Sequence, residues 1–341
     1  MIIEKAIMTW ILAVCPWSLN MLKDNVKRCF ILNKLQRCTT NNAEQIWQEI
    51  KKNKFIYFLL APTIILVIVF NYVPFYGVKM AFQEYNIYDP SKSEWVGLNH
   101  FAEIFSSKEL ILSIWNTIYI SILNIIIVFP MSIIFALLLN EVKDGLFKRS
   151  VQTFSYLPHF LSWISVIGIV TALYAKNGPI NDFICMLTGS TERRLFMAEQ
   201  GMFVPNVILL STWKELGWGS VVFLAAISGI DAALYEAAII DGAGKLRQAW
   251  SVTIPQLMPT IVIMLVWKIG SIFSSNFDLI YGMQNAFINF ETLQTVIYKQ
   301  GIQGGDYAMT TAFGLAQGLV NIIMLLLANA FAKKAEGISV F

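Results

Sequence analysis

Long apolar stretches dominate the chain from about residue 55 onward. A helix needs about 20 predominantly apolar residues to cross a bilayer with its backbone groups satisfied internally. Four stretches of this kind carry no charged side chain, and two more carry charges only near their middles or ends. The pattern therefore predicts an all-α integral membrane protein with six transmembrane helices, at about residues 55–78, 111–140, 150–175, 202–230, 256–283 and 307–332.

The composition agrees with this pattern and excludes several other classes. Hydrophobic residues make up 56% of the chain and charged residues 14%, and the mean hydropathy is +0.60. A soluble domain carries about a quarter charged residues, so this chain has little surface to present to water. The net charge of +3 is too small at this length to indicate nucleic-acid binding. The four cysteines lack metal or disulfide spacing and the two histidines are far apart, so no metal or other cofactor is expected.

The distribution of Lys and Arg favours one orientation. Placing both termini in the cytoplasm leaves ten basic residues of the flanking segments inside and seven outside, in the sense of the positive-inside rule. Residues 1–50 are predicted to be a weakly ordered N-terminal extension, with Met21 as an alternative start. Their apolar run at residues 7–19 is too short to span a bilayer and lacks the positive charge that precedes a signal sequence.

The segment between the fourth and fifth predicted helices, residues 231–255, is long for a connection and has its own pattern. It predicts two short helices, at residues 232–241 and 245–253, joined by a break at Gly242-Ala243-Gly244. Glycine at the break lets the backbone turn sharply without a side chain in the way of a partner. An amphipathic hairpin lying on the membrane is the alternative, but two basic residues are too few for the polar face of such a hairpin.

This segment resembles the EAA motif of binding-protein-dependent ABC permeases. That motif is Glu-Ala-Ala, three residues, Gly, nine residues and Ile-x-Leu-Pro, and here Val252 and Ile254 replace its Ile and Leu. Two further segments, WVGLNHF at residues 95–101 and WKELGWG at residues 213–219, resemble the sugar branch of MalF/LplB-type oligosaccharide permeases. The resemblance extends from about residue 50 to the C-terminus.

The resemblance implies a type I importer permease (MetI-like) fold over residues 51–341, in a bacterial cell membrane. It implies four partners: a distinct second permease subunit, a cytoplasmic ATPase dimer, an extracellular solute-binding lipoprotein and a sugar substrate. No phosphate-binding GxxxxGK[ST] motif is present, so ATP hydrolysis is expected in a separate subunit and this chain is not expected to be an enzyme. The residues that would dock on the ATPase are Glu236, Ala237, Ala238, Asp241, Gly242, Ala243 and Pro255.

Charged side chains at bilayer depth are costly and usually face a cavity or a partner. The candidate substrate path is therefore Trp213, Lys214, Glu215, Trp218, Trp267, Lys268, Ser271 and Asn276. The indoles offer faces for sugar rings, the hydroxyl and amide groups offer hydrogen bonds, and the excess of lysine suits an acidic saccharide. The alternative is that Glu215 pairs with one of the lysines and only locks two helices together.

Other functions remain open at this stage. Permeases for peptides, phosphate or polyamines carry related loops, so the solute is assigned to sugars by resemblance alone. An intramembrane enzyme needs a nucleophile and base or a metal-ligand set, and the chain has neither an HExxH nor a GxSxG motif. A channel or a secondary carrier would leave the loop at residues 231–255 unexplained.

Overall fold

The computed structural model describes residues 51–336, so the prediction for residues 1–50 lies outside the described range. The chain divides between Val78 and Lys79 into two compact units. The first contains helix α1 (Lys54–Val67), which continues through a π-helical segment (Ile68–Tyr72) into a 3-10 helix that crosses the boundary (Val73–Phe82).

The second unit opens with a short antiparallel hairpin and is helical thereafter. Strands β1 (Gln83–Glu84) and β2 (Glu94–Trp95) pair with each other. The helices that follow are α2 (Asn99–Ser106), α3 (Lys108–Leu123), α4 (Phe129–Glu141), α5 (Leu146–Tyr156), α6 (Trp163–Leu173), α7 (Pro179–Thr188), α8 (Gln200–Ser228), α9 (Ala232–Ile240), α10 (Lys245–Gln248), α11 (Ile254–Gly270), α12 (Phe277–Met283), α13 (Leu293–Val296) and α14 (Tyr307–Glu336). Short 3-10 helices lie at Pro90–Lys92 and Leu157–Phe160, and further π-helical segments at Asn124–Val128, Ala249–Thr253 and Ile297–Gln303.

Five helical runs within residues 51–336 are long and apolar enough to cross a membrane: Lys54–Phe82, Lys108–Glu141, Gln200–Ser228, Lys245–Gly270 and Tyr307–Lys334. The third predicted helix, at residues 150–175, is not one continuous helix. It consists of two pieces, Leu146–Phe160 and Trp163–Leu173, bent by 103°. Pro158 cannot donate a backbone hydrogen bond and clashes with the preceding turn, and the chain is extended at Leu161 and Ser162.

The second piece of the bent pair runs alongside helix α8. The carbonyl oxygen of Leu161, at the bend, accepts a hydrogen bond from Lys214 of α8. The hydroxyl of Tyr174, just beyond α6, donates to Asn206 of α8 over 3.3 Å. These two α8 residues are about 12 Å apart along the helix axis, at 1.5 Å per residue. Counted as one broken span, the bent pair brings the candidate spans of residues 51–336 to six.

The fifth predicted helix, residues 256–283, is also wrong in its bounds. The observed helix begins earlier, at Lys245, and ends at Gly270, and a break separates it from α12. At the break, the Ser271 hydroxyl donates to the carbonyls of Trp267 and Lys268, over 3.2 and 3.1 Å. Serine and asparagine compete with helical hydrogen bonds in this way, and the Asn276 side chain accepts from the backbone N–H of Leu279 as the cap of α12.

Three of the π-helical segments share one cause. The segments Ile68–Tyr72, Asn124–Val128 and Ala249–Thr253 each end two residues before a proline, at Pro74, Pro130 and Pro255. A proline ring clashes with the carbonyl four residues earlier and offers it no N–H. That carbonyl lies inside the π segment in each case, where the wider turn makes room for the ring. The chain thus stays helical through these prolines.

Helix α8 is the centre of the second unit. Its Phe203, Val207 and Leu210 form one buried cluster together with α6 and α12, and its Phe223 and Ile227 form another with α4 and α11. Apolar burial does not drive helix association inside lipid, so close backbone approach matters more there. Two glycines of α8 permit that approach. A Cβ atom at Gly217 would lie 2.1 Å from the Ser155 carbonyl oxygen of α5, and one at Gly219 would lie 2.7 Å from the Ser132 hydroxyl of α4.

Candidate coupling loop and translocation site

The loop at residues 231–255 has the predicted bend. Helix α9 begins with the Asp231 side chain accepting a hydrogen bond from the Ala233 N–H over 3.0 Å. At its end the Gly242 N–H donates to the Ile239 carbonyl, and the Ala243 N–H donates to the Ala238 carbonyl, both over 2.9 Å. These two bonds form a Schellman motif, which needs a left-handed residue. Gly242 supplies it with φ +74°, so the prediction of a glycine break is confirmed.

Side chains brace the two arms of the loop against each other. The hydroxyls of Tyr235 in α9 and Thr253 in the following π segment lie 3.0 Å apart. The Gln248 amide donates to the Ala243 carbonyl over 2.7 Å, and Gln248 is buried. The Lys245 ammonium lies 3.2 Å from the Glu141 carboxylate at the end of α4. The second predicted loop helix continues without interruption into α11, so the loop and the fifth span form one rigid piece.

The tip of the loop is apolar and exposed. Ile240 and Leu246, on either side of the bend, are 86% and 80% exposed, and Ile239 and Trp250 are exposed beside them. Of the predicted docking residues, Glu236, Ala237, Asp241, Gly242 and Pro255 are exposed, and Ala238 and Ala243 are half-buried. In the second arm Thr253 is buried, whereas Leu246 and Trp250 are exposed. A contiguous exposed apolar surface of this kind indicates an interaction site.

Lys214 is drawn into the protein at the middle of helix α8. It is 5% exposed, its ammonium donates to the Leu161 carbonyl, and it lies 4.4 Å from the centre of the Trp163 ring. An ammonium over an indole face is attracted by the ring quadrupole. The bend at residues 157–162 leaves the Leu161 carbonyl outside a regular helix, and Lys214 satisfies it. The Lys214 ammonium therefore binds groups of this chain at the bend.

Glu215 and Trp218 form a second group with the bend. The nearest Glu215 carboxylate oxygen lies 3.7 Å from His159 Nδ1, and the His159 ring stacks on Trp218 with centroids 4.6 Å apart. Phe160 meets the Trp218 ring edge-on. Among the described residues no ion pair joins Glu215 to Lys214 or Lys268, so the lysine–glutamate lock is not formed. The Glu215 carboxylate and the Trp218 indole are both partly open to the surroundings.

The remaining path residues lie where the fifth span ends. Trp267 is 72% exposed and Lys268 is exposed, and Lys268 has no acidic partner in residues 51–336. Ser271 and Asn276 are half-buried and cap the two helices at the break. Trp213 is exposed on α8. Within the part of the chain that the structure describes, no hydrogen bond or ion pair joins this group to the α8 group.

Sequence reasoning missed His159, Phe160 and Trp163 as members of the site. Each belongs to the third span and meets α8 only because the chain bends there. A histidine beside a proline inside an apolar stretch was the available signal, since ionisable residues in a span usually have a partner. The side chains of α8 that these residues contact lie more than 50 positions further along the chain, so no local sequence pattern indicates them.

The chain is thus a helical protein with long apolar spans and a loop at residues 231–255 whose tip is apolar and exposed. The family model described as "Binding-protein-dependent transport system inner membrane component" matches residues 128–337, and the chain belongs to this family. It is therefore a multi-pass membrane protein.

Individual relatives cover most of this chain and most of their own length. Protein LplB of Bacillus subtilis (strain 168) is 39% identical over 291 residues, covering 84% of this chain and 91% of LplB. YteP of the same organism, a polygalacturonan/rhamnogalacturonan transport system permease protein, is 40% identical over 293 residues, with the same coverages. A solved bacterial ABC transporter that imports the acidic polysaccharide alginate contains a chain 34% identical, with a TM-score of 0.78, covering 86% of this chain and 99% of that one.

The loop geometry gives a first testable prediction. Gly242→Ala puts a side chain on a left-handed residue, which costs about 1–2 kcal/mol, and we expect it to displace the tip and lower transport several-fold. Gly244→Ala is the matched control, because Gly244 has φ −69° and open space where a Cβ would lie. The measurements are recovery of the ATPase with the permease and substrate uptake. If the two variants lose ATPase recovery and uptake to the same extent, or if both retain them, the bend does not have this role.

Proposed function

We propose that this chain is a pore-forming permease subunit of a bacterial ATP-binding-cassette importer for an oligosaccharide. The observation that carries the proposal is the coupling loop, whose glycine bend, internal bracing and exposed apolar tip suit a rigid contact with a second protein. The similarity to permeases named for polygalacturonan and arabinooligosaccharide transport supports a carbohydrate as the solute.

The proposed assembly has four kinds of component around this chain. A distinct second permease subunit completes the pore, and a cytoplasmic ATPase dimer binds ATP and hydrolyses it, so this chain itself carries no cofactor and no catalytic residue. An extracellular solute-binding lipoprotein delivers the sugar; a relative's structure was solved in complex with its alginate pentasaccharide-bound periplasmic protein. Because α10 and α11 are one continuous helix, movement of the ATPase against the loop tip would be transmitted directly to the fifth span.

The proposed orientation places both termini and the coupling loop in the cytoplasm of a bacterial cell. It is supported by the excess of Lys and Arg on that side and by the six spans, which return the chain to the side where it began. A cysteine placed at residue 92 should then react with an impermeant maleimide in intact cells, and one at residue 245 should not. Labelling at residue 245 would overturn this orientation.

For the substrate we propose an acidic oligosaccharide, moving past two groups of side chains. Trp218, Glu215 and His159 form the first group, with the indole as a stacking face and the other two as hydrogen-bonding partners. Trp267 and Lys268 form the second, where an exposed ammonium at the end of the fifth span has no acidic partner among the described residues. Such a charge needs a polar neighbour, and a uronate carboxylate would provide one. The polygalacturonan and alginate named for the relatives are acidic.

The test is uptake of an acidic and a neutral oligosaccharide of equal length by the wild type and by Lys268→Met. A charge-assisted hydrogen bond contributes about 1.5–3 kcal/mol, so we expect acidic uptake to fall roughly 10-fold or more while neutral uptake holds. Lys334→Met, in the last turn of α14, is the control with the same loss of charge. If Lys268→Met transports acidic sugar normally, the proposed path is wrong. If the wild type transports no oligosaccharide, the proposed function is wrong.

A further inference from the structure

The hairpin at residues 83–95, called here the outer hairpin, is held in shape by its own side chains. The side-chain amide oxygen of Asn86 (Oδ1) accepts hydrogen bonds from the backbone N–H groups of Tyr88 and Asp89, over 2.9 and 3.1 Å. The Ser93 hydroxyl accepts from the Asn86 N–H over 3.1 Å. The Trp95 ring stacks on Phe82 at the base, with centroids 5.7 Å apart. A surface that is already ordered loses little entropy when a partner binds it.

This ordered hairpin presents apolar and aromatic side chains to the outside. Tyr88 is 96% exposed, Trp95 is 67% exposed, and Ile87 is exposed next to Tyr88. Between the strands and the turn lies an open hollow of about 400 Å³, lined by Tyr85, Tyr88 and both strand glutamates among others. Tyrosine and tryptophan are enriched in the energetically important parts of protein interfaces. The hairpin thus combines a concave surface with exposed aromatic anchors.

The hairpin carries a surplus of negative charge, and this charge is not paired at one pair of glutamates. Strand register puts Glu84 directly opposite Glu94, and like charges at such positions destabilise a strand pair. No ion pair joins either glutamate to a described residue. The third carboxylate, Asp89, is compensated by Lys92 at 3.1 Å, and hydrogen bonding from Ser91 and Lys92 holds the pKa of Asp89 below its ordinary value. The surplus negative charge therefore sits on the glutamate pair.

This charge decides which partner suits the surface. Anionic lipid headgroups attract basic segments, and membrane-surface elements carry Lys and Arg on their polar side. A hairpin with three carboxylates and one lysine has the opposite character, so aromatic anchoring in the headgroup region is disfavoured. A protein with a basic surface patch would instead relieve the repulsion between the two glutamates.

We propose that the outer hairpin is a docking surface for the extracellular solute-binding protein, through a basic patch of that protein that faces Glu84 and Glu94. This inference rests on the proposed function and on its orientation, which puts residues 79–110 outside the cell. Charge complementarity speeds encounter and selects the partner, while Tyr88 and Trp95 supply the apolar contact.

The first test measures binding of the substrate-loaded solute-binding protein of this transport system to the whole transporter in nanodiscs. We expect the Kd to rise about 10-fold or more for Glu84→Lys with Glu94→Lys at low salt. The difference should shrink in high salt, because the Debye length shortens to about 3 Å at 1 M. The matched control is Glu109→Lys with Glu192→Lys, two exposed glutamates of the same outer side, which should bind within about twofold of the wild type. Equal Kd values for the two double variants would overturn the proposal.

The second test does not depend on how the charge variants assemble. Tyr88→Cys, in a chain whose native cysteines are replaced, is labelled with an impermeant maleimide in the intact transporter. The proposal expects labelling in the free transporter and protection when the loaded solute-binding protein is added. Failure to label the free transporter would mean that lipid or another subunit covers the hairpin, and labelling without protection would mean that the partner docks elsewhere; either result overturns the proposal. If the wild-type transporter neither binds nor responds to the solute-binding protein, the proposed function fails as well.

Discussion

Replacing Gly217 by alanine is expected to be among the most damaging single changes in the membrane part of this protein. A Cβ atom there would lie 2.1 Å from the Ser155 carbonyl oxygen and 2.4 Å from its carbon. Both are backbone atoms of α5, so no side chain can rotate away. Overpacking typically costs 1–3 kcal/mol or more, and here the shift would also pull the bend away from Lys214. We expect a markedly lower melting temperature and loss of uptake.

Gly201→Ala is the control for this prediction. Gly201 lies in the first turn of the same helix and has no atom within 4 Å of the place where a Cβ would lie. Alanine is the better helix former by about 1 kcal/mol, so this variant should be as stable as the wild type or more so. If Gly217→Ala were stabilised to the same degree, the close approach of α5 and α8 would not be a feature of the native protein.

Replacing Lys214 by methionine is expected to have the second large effect. Methionine matches the length of the side chain but cannot donate to the Leu161 carbonyl, and it loses the contact of the ammonium with the Trp163 ring. A fully buried carbonyl left without a partner costs about 1–3 kcal/mol, and the half-buried Leu161 carbonyl should cost part of that. We expect a lower melting temperature together with loss of uptake for every substrate, because the bend that positions His159 is no longer held.

Lys268→Met is the matched comparison for Lys214→Met. The two lysines occupy neighbouring spans, but Lys268 is exposed and donates to no described residue. Its replacement should leave the melting temperature unchanged and affect only acidic substrates. A Lys214→Met protein that melts like the wild type would show that the ammonium does not hold the bend.

Hydropathy predicted the long helices because most residues along each of them are apolar. Helix α8 and helix α14 appear close to their predicted bounds, and the bend at Gly242 follows from a local motif that one left-handed residue completes. The sequence pattern alone thus sufficed for these two helices and for the glycine bend.

The breaks inside two spans were not predicted, for a physical reason. Averaged hydropathy does not register a hydroxyl that bonds to its own helix at Ser271, nor a proline such as Pro158 that ends a helix in one place. At Pro130 and Pro255 a π-helical turn makes room for the proline ring, and the helix continues. The partner that stabilises the bend, Lys214, lies 53 positions from Leu161, so the choice between bending and continuing depends on tertiary contacts.

Under the proposed function, this chain couples ATP hydrolysis in a separate subunit to sugar import through the loop at residues 231–255. The most direct measurement is ATPase activity of the reconstituted transporter with and without the sugar-loaded solute-binding protein, for the wild type and for Glu236→Lys. We predict stimulated hydrolysis in the wild type and loss of that stimulation in the variant, because a reversed charge on an exposed docking face repels the ATPase. Normal stimulation of the Glu236→Lys transporter would contradict coupling through this loop. Hydrolysis that never responds to the loaded binding protein would contradict the importer function.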